Sequence, residues 1–479
     1  MTGPILFLVP ARGGSARIPG KNLRTVAGIP LVGHAVRNAR LAALRVVGGP
    51  HAVVCSTDDP AIAAAARSWG AATIDRPAPL ATASATSVDV AIHALDELDT
   101  AGTGPFRAIV LVQPTSPLTD PSDLVAAVER FDASGRQSVV SVTSVHPAAW
   151  HVTREPDDPD AIRRLTRDGD LADDEILTGA IYVIAPEELR ANRRFIGPRT
   201  LGLRVPPQRS VDIDDPDDLV VAEAFARARP IRPVELAGHR IGDGPVFVIA
   251  EAGVNHDGRP ELAHRLVDAA ADAGADAVKF QALDPAIAAS GSLGDWLEIC
   301  AHARERGIAI ISTRQDGRSA ELMERPDADA YAVPADALAD IPLAEAIARR
   351  GRPLLLFIGT AAPAQIAAAV DAFCAAGNPS VTLVCGPAGV LASMRTLRSA
   401  FGVPVGWFDC ATGSDMALAA TAAGASLVVK GLTVERAARR EDRCALEPGP
   451  FAVMVDAIRN VETALGSGDP HVRDVESET

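Results

Sequence analysis

The chain has 479 residues, 48% hydrophobic and 22% charged, enough for two or three domains with ordinary cores. A net charge of −15 argues against a nucleic-acid backbone as the main partner, although an acidic protein can still hold a nucleotide in a local basic loop. No run reaches the roughly 18–20 apolar residues of a membrane span, so no membrane partner is expected.

The first predicted strand, near 4–9, empties into Pro10-Ala11-Arg12-Gly13-Gly14-Ser15-Ala16-Arg17-Ile18-Pro19-Gly20-Lys21-Asn22. Glycine permits close backbone approach, arginine offers a planar donor fork and lysine a mobile point charge. Backbone N–H groups in such a loop can add an anion nest. The segment therefore points to a triphosphate site. It is not a Walker loop, since the Gly-Lys-Ser/Thr ending is missing. Ile5–Val9 is too short for a secretory leader and meets an arginine loop at once. The six cysteines (Cys55, Cys300, Cys374, Cys385, Cys410 and Cys444) lack CxxC spacing, so reduced thiols in a cytoplasmic protein are expected.

Further strands are predicted near 52–56, 107–112, 138–143 and 180–184, and helices near 31–46, 59–69, 86–99, 121–134 and 215–228. Such alternation predicts a mostly parallel sheet covered by helices, with ligands beyond the carboxyl ends of the strands. Arg12, Ser56 and Gln113 all fall at such ends. Residues 154–175 are polar and acid-rich and read as a loop or exposed hairpin. Residues 229–244 read as a linker, because two prolines bar helix continuation. After it, eight apolar runs, near 246–250, 276–280, 308–312, 329–333, 353–357, 380–384, 404–408 and 426–430, are separated by helix-length patterns. Eight β/α units in roughly 220 residues predict a TIM (β/α)8 barrel, the alternative being an open doubly wound sheet. Past Gly466 the chain reads as a polar tail (467–479).

Five segments in order carry a resemblance: the Arg12–Asn22 loop, Ser56-Thr57-Asp58-Asp59, Arg76-Pro77-Ala78-Pro79-Leu80-Ala81, Gln113-Pro114-Thr115-Ser116-Pro117-Leu118 and Val211-Asp212-Ile213-Asp214. Residues 3–228 resemble the N-acylneuraminate cytidylyltransferases. The resemblance implies a nucleotide-diphospho-sugar transferase-like α/β/α sandwich. It also implies transfer of CMP from CTP to a nonulosonic acid or related acidic acceptor, with release of pyrophosphate. Arg12 and Lys21 would clamp the phosphates, and Ser15, Asn22, Arg76, Gln113 and Ser116 would contact the substrates. Asp212 and Asp214, alternating along an extended segment, suit Mg²⁺ or Mn²⁺, and Asp214 would act in catalysis. An N-cap or first-turn role for the helix at 215–228 is the other reading of the pair, although Asp215, Asp217 and Asp218 already serve that role. The family implies a homodimer or higher homo-oligomer. Departures stand at Ala16, where the family has lysine, and at Ala83, Thr119, Ile176 and Thr178, so that either the acceptor is not an ordinary sialic acid or activity is weakened.

A second resemblance covers about 245–466. Phe247 to Gly258 and Gly274 to Gln281 are similar to the opening of sialic acid synthases, which condense phosphoenolpyruvate with an N-acyl-mannosamine type sugar using a divalent metal. Glu251, Asn255 and Lys279 match that family at the barrel mouth. The two metal-binding histidines read as Val384 and Cys410, the Thr-Pro-Phe segment as Thr313-Arg314-Gln315, and a basic-His segment as Lys430-Gly431. A degenerate, non-catalytic or repurposed barrel is expected. A bifunctional enzyme and an inert nucleotide-binding scaffold are the alternatives.

Overall fold

The computed structural model describes residues 3–15, 17–144, 150–155, 158–167, 175–253, 255–256, 259–281, 293–313, 328–386, 389–435 and 444–466. Ala16, Arg314, Gln315 and the tail 467–479, together with part of 154–175, lie outside them. The chain divides into two compact units, Met1–Ala228 and Arg229–Thr479.

The first unit is built on seven strands: β1 (Ile5–Pro10), β2 (Ala52–Thr57), β3 (Ala72–Asp75), β4 (Ala108–Val112), β5 (Val139–Ser144), β6 (Glu175–Ile184) and β7 (Leu201–Arg204). Their order across the sheet is β7-β5-β6-β4-β1-β2-β3. Only β6 runs antiparallel to its neighbours, pairing β4 on one side and β5 on the other. Residues Ile5 to Val9 are all fully buried, as a central strand covered on both faces requires. The short edge strands β3 and β7 carry no strong apolar run, and the sequence pattern predicts no strand at either. Helices cover the sheet, among them α1 (Leu31–Arg45), α2 (Pro60–Ser68), α3 (Ser87–Thr100) and α4 (Pro121–Ala133). Side-chain caps fix where several begin: Asp59 accepts the Ala61 N–H at 2.7 Å, and Thr86 with Asp89 forms a capping box. These caps hold the helix starts beside the carboxyl edge of the sheet. The short helix α5 (Pro186–Asn192) follows β6, and α6 (Pro216–Arg227) ends the unit. A two-stranded arm, Trp150–Glu155 with Asp158–Arg167, occupies part of the polar stretch.

The second unit is a closed barrel of eight parallel strands: β8 (Phe247–Gly253), β9 (Ala277–Gln281), β10 (Ala309–Thr313), β11 (Ala330–Val333), β12 (Leu354–Phe357), β13 (Val381–Cys385), β14 (Val405–Asp409) and β15 (Leu427–Gly431). Pairing of β8 with β15 closes the ring, which excludes the open doubly wound sheet. Alternation sorts the side chains. Phe247, Ile249, Leu427 and Val429 belong to one buried cluster, while Val248, Ala250 and Val428 belong to another shared with helices such as α7 (Pro260–Asp272). Segment 229–244 is not a plain linker. Val234–Leu236 and His239–Ile241 pair as a hairpin, and Val234, Leu236 and Ile241 are buried in the cluster that holds Phe247 and Ile249. The prolines at 230 and 233 do bar a helix, but a strand beginning after Pro233 tolerates them. The hairpin thereby covers the amino-terminal end of the barrel. Among the described residues no helix is long and apolar enough to cross a membrane.

Candidate active site

At the carboxyl edge of the first sheet, a cleft of ≈ 370 Å³ is lined by Arg12, Ser15, Lys21, Asn22, Arg76, Gln113 and Asp214, all singled out in the sequence. Arg17, Thr115 and Ser87 complete its polar wall, with Ala83, Ala85 and Val90 on the apolar side. The loop after β1 is pinned from beneath. The Ala11 N–H donates to the Ser56 carbonyl at 3.0 Å and the Gly13 N–H to Asp58 at 2.9 Å. A Cβ on Gly13 would fall 2.8 Å from the Asp59 carboxylate, so glycine is needed for this close approach. Gly20, at φ 64°, turns the chain into the short helical turn Lys21–Leu23. Asn22 is buried and donates to the Arg12 carbonyl at 2.9 Å, so its amide shapes the loop.

The loop meets the far end of the same unit. Lys21 Nζ donates to the Ile213 carbonyl at 2.8 Å and lies 3.4 Å from the Asp214 carboxylate, which also meets Arg17 at 3.5 Å. Ile213 is fully buried, and its N–H donates to the Thr115 carbonyl at 2.8 Å, so the Gln113–Thr115 turn holds the aspartate segment in place. Asp215 and Asp218 form the capping box of α6, and Asp218 accepts the Asp214 N–H at 2.7 Å. The N-cap role thus falls on Asp215 and Asp218, leaving the Asp212 and Asp214 carboxylates for other work.

Asp212 does not line the cleft itself. Its carboxylate lies 3.5 Å from where a Cβ on Gly179 would stand. Crowding by protein raises its proton affinity above the usual carboxylate range; Asp214 and Asp218 push the same way, while Thr115 and Lys21 oppose. Two carboxylates close to one another, one of them desolvated, are oxygen donors of the kind that suit Mg²⁺. Ser116 also stays out of the cleft: it is 3% exposed, within the turn that Gln113 opens.

Arg76 lines the cleft yet is 7% exposed, donating to the Ser56 carbonyl at 2.6 Å and the Ser56 hydroxyl at 3.3 Å. Burial depresses its proton affinity, Asp58 and Cys55 oppose that, and Arg12 adds to it. Its first role is to tie β2 to the cleft wall. Gln113 Nε2 donates to the Ser87 hydroxyl at 3.4 Å, a partner that the sequence signals only by its place next to the capping Thr86. Thr119 and Thr178 turn inward: Thr119 donates to the Ser116 carbonyl, and the Thr178 hydroxyl sits 2.6 Å from that of Ser141.

At the barrel mouth, Lys279 Nζ lies 2.5 Å from the Glu251 carboxylate and 5.1 Å from the centre of the Phe357 ring. Phe357 meets Phe408 edge to face at 5.6 Å. Asn255 donates to the Leu432 carbonyl at 3.0 Å. Val384 is fully buried inside the barrel. Burial, with Cys444, Asp409 and Glu251 adding to it and Lys430 opposing, pushes the Cys410 thiol up to about 11. Lys430 is fully buried, 3.0 Å from Asp409. Among the described residues no three His, Cys, Asp or Glu side chains cluster as a metal site.

An α/β sheet with a cationic cleft at its carboxyl edge, joined to a closed (β/α)8 barrel, defines a two-domain protein of the nucleotidyltransferase and TIM-barrel classes. The family model for the cytidylyltransferases matches residues 6–168, and that for the NeuB family matches residues 292–470. The chain is 31% identical over 236 residues to the CMP-N,N'-diacetyllegionaminic acid synthase of Legionella pneumophila, covering 46% of this chain and 94% of that protein. A 270-residue match at 30% identity joins the chain to the spore coat polysaccharide biosynthesis protein SpsE of Bacillus subtilis, covering 49% and 72%. The N,N'-diacetyllegionaminic acid synthase of Campylobacter jejuni is 29% identical over 260 residues, covering 46% and 78%. The chain belongs to both families: it is a fusion of a cytidylyltransferase domain with a sialic acid synthase-like domain.

Proposed function

We propose that the first domain transfers CMP from CTP to an acidic nine-carbon sugar of the N,N'-diacetyllegionaminic type, releasing pyrophosphate. The observation that carries this reading is the meeting of Lys21 and Arg17 with Asp214 in a cleft that also holds Arg12, Arg76 and Gln113. Four cationic side chains in one cleft of an acidic chain offset the charge of a triphosphate. Two relatives, one for each half of the chain, carry the same acid in their names. The sugar hydroxyl would attack the α-phosphorus and pyrophosphate would leave, with Arg12 and Lys21 stabilising the developing charge. Asp212 and Asp214 would hold Mg²⁺ or Mn²⁺, which supplies further charge neutralisation at the phosphates when bound. The test is pyrophosphate release from CTP with N,N'-diacetyllegionaminic acid, N-acetylneuraminic acid and 2-keto-3-deoxyoctonic acid as acceptors. Release with the first alone, or fastest with it, supports the reading; silence across the panel leaves the inert nucleotide-binding scaffold. In the same assay Asp214→Asn should raise the Mg²⁺ concentration for half-maximal rate about tenfold; an unchanged titration removes the metal role.

The barrel is read as non-catalytic in phosphoenolpyruvate condensation. Supporting this, the resemblance puts Val384 and Cys410 where sialic acid synthases carry metal-binding histidines, and the Phe357–Phe408 pair sits beside the Lys279–Glu251 pair. The NeuB-family match favours the second reading, a bifunctional enzyme that makes the acid and then activates it. Phosphate release from phosphoenolpyruvate with Mn²⁺ and an N-acyl-mannosamine type sugar decides between them: release restores the synthase.

A further inference from the structure

A second cleft, of ≈ 490 Å³, opens at the opposite end of the first sheet. It lies between the loop that enters β5 and the chain that leaves β6, and it falls in the roughly 300–1,000 Å³ range of small-molecule sites. Arg136, Arg194 and Arg199 line it together with Glu187, Glu188 and Asn192. Arg136 adopts φ 73°, in the left-handed region that side chains other than glycine rarely enter, a strain that recurs at functional sites. Its guanidinium donates to the Arg107 carbonyl at 2.7 Å and meets Glu187 at 2.9 Å, while its Nε is buried without a partner. Arg194 and Arg199 are exposed and make no hydrogen bond or ion pair within the described residues. Glu188 accepts from Asn192 at 2.8 Å.

We infer that this cleft binds a phosphorylated sugar. Guanidinium forks match the oxygens of a phosphate. Two carboxylates in the same cleft would repel a bare anion, but they accept hydrogen bonds from sugar hydroxyls, and the Asn192 amide can also donate. The ligand therefore carries both a phosphate and hydroxyls.

The test is calorimetric titration of the full chain, its front cleft saturated with CTP, with glucose 6-phosphate as probe and glucose and inorganic phosphate as controls. The expected result is one site per chain for glucose 6-phosphate, weakened at least tenfold in the Arg194→Ala/Arg199→Ala variant. Both arginines are exposed, and a melting curve verifies the fold. Lys21→Ala should leave the binding unchanged. No heat at millimolar probe overturns the inference. So does inorganic phosphate or glucose binding as tightly as the sugar phosphate, or loss of binding in Lys21→Ala, which would place the probe in the front cleft. The titration needs no turnover, so a failure of the proposed enzymatic reaction stays distinguishable from a failure here.

Discussion

Lys21 and Asp214 stand 193 positions apart in sequence and 3.4 Å apart in space, and the Ile213 carbonyl holds the same ammonium at 2.8 Å. One contact thus joins the first loop of the domain to the segment that precedes its last helix. The lysine is 15% exposed and the aspartate 61%, so their ion pair contributes roughly 1 kcal/mol or less to stability. Lys21→Ala should therefore melt within a few degrees of the native protein while cytidylyl transfer falls roughly 10²–10³-fold, the scale of losing one charge-stabilising donor. A large drop in Tm together with retained transfer would reverse the assignment.

Arg76 should behave in the opposite way. Its two contacts to Ser56 are buried, and Arg76→Ala removes both, leaving the Ser56 carbonyl with the Ala11 N–H as its remaining donor. The expected cost is about 1–2 kcal/mol, the scale of a lost charge-assisted hydrogen bond. Urea unfolding should show a lower midpoint with an unchanged slope, and Arg76→Lys should recover part of the loss. A midpoint equal to that of the native protein would mean that Arg76 serves only the cleft.

In the barrel, Lys430 and Asp409 form a pair 0% and 1% exposed. Lys430→Met would strand a buried carboxylate, at a cost of about 3–5 kcal/mol, or roughly 10 °C in Tm for a domain of this size. Lys430→Met/Asp409→Asn removes the stranded charge and keeps an acceptor for the Ala411 N–H, so it should be the more stable of the two. If the two losses simply add, the pair does not act as a unit.

Cys410 is half-buried, yet its thiol is pushed up to about 11. The thiolate is the nucleophile, and near pH 8 only about a thousandth of such a thiol is ionised. Iodoacetamide labelling at Cys410, followed by peptide mass spectrometry, should rise about tenfold for each pH unit up to about pH 10. A plateau below pH 9 would show an ordinary thiol.

Much of this molecule is legible in the sequence because local physics dictates it. The runs from Ile5 and from Val246 are apolar enough to be strands buried on both faces, and eight regular repeats can close into a barrel. Capping pairs such as Thr86 with Asp89 mark helix starts within a residue. The edge strands β3 and β7 and the hairpin at Val234–Ile241 escaped because short strands gain their stability from neighbours rather than from their own pattern. The second cleft had no motif to announce it.

The sequence by itself determined the residue types at each site: a glycine-rich cationic loop, an aspartate pair, and a barrel that carries Val384 and Cys410 on its strands and loops. Only the tertiary structure decided their partners. It turned Asn22 and Arg76 into struts, buried Ser116, and brought Lys21 against Asp214. Charge and hydrogen-bonding capacity belong to a side chain, but how they are used depends on distance and burial, which arise only when segments far apart in the chain pack together.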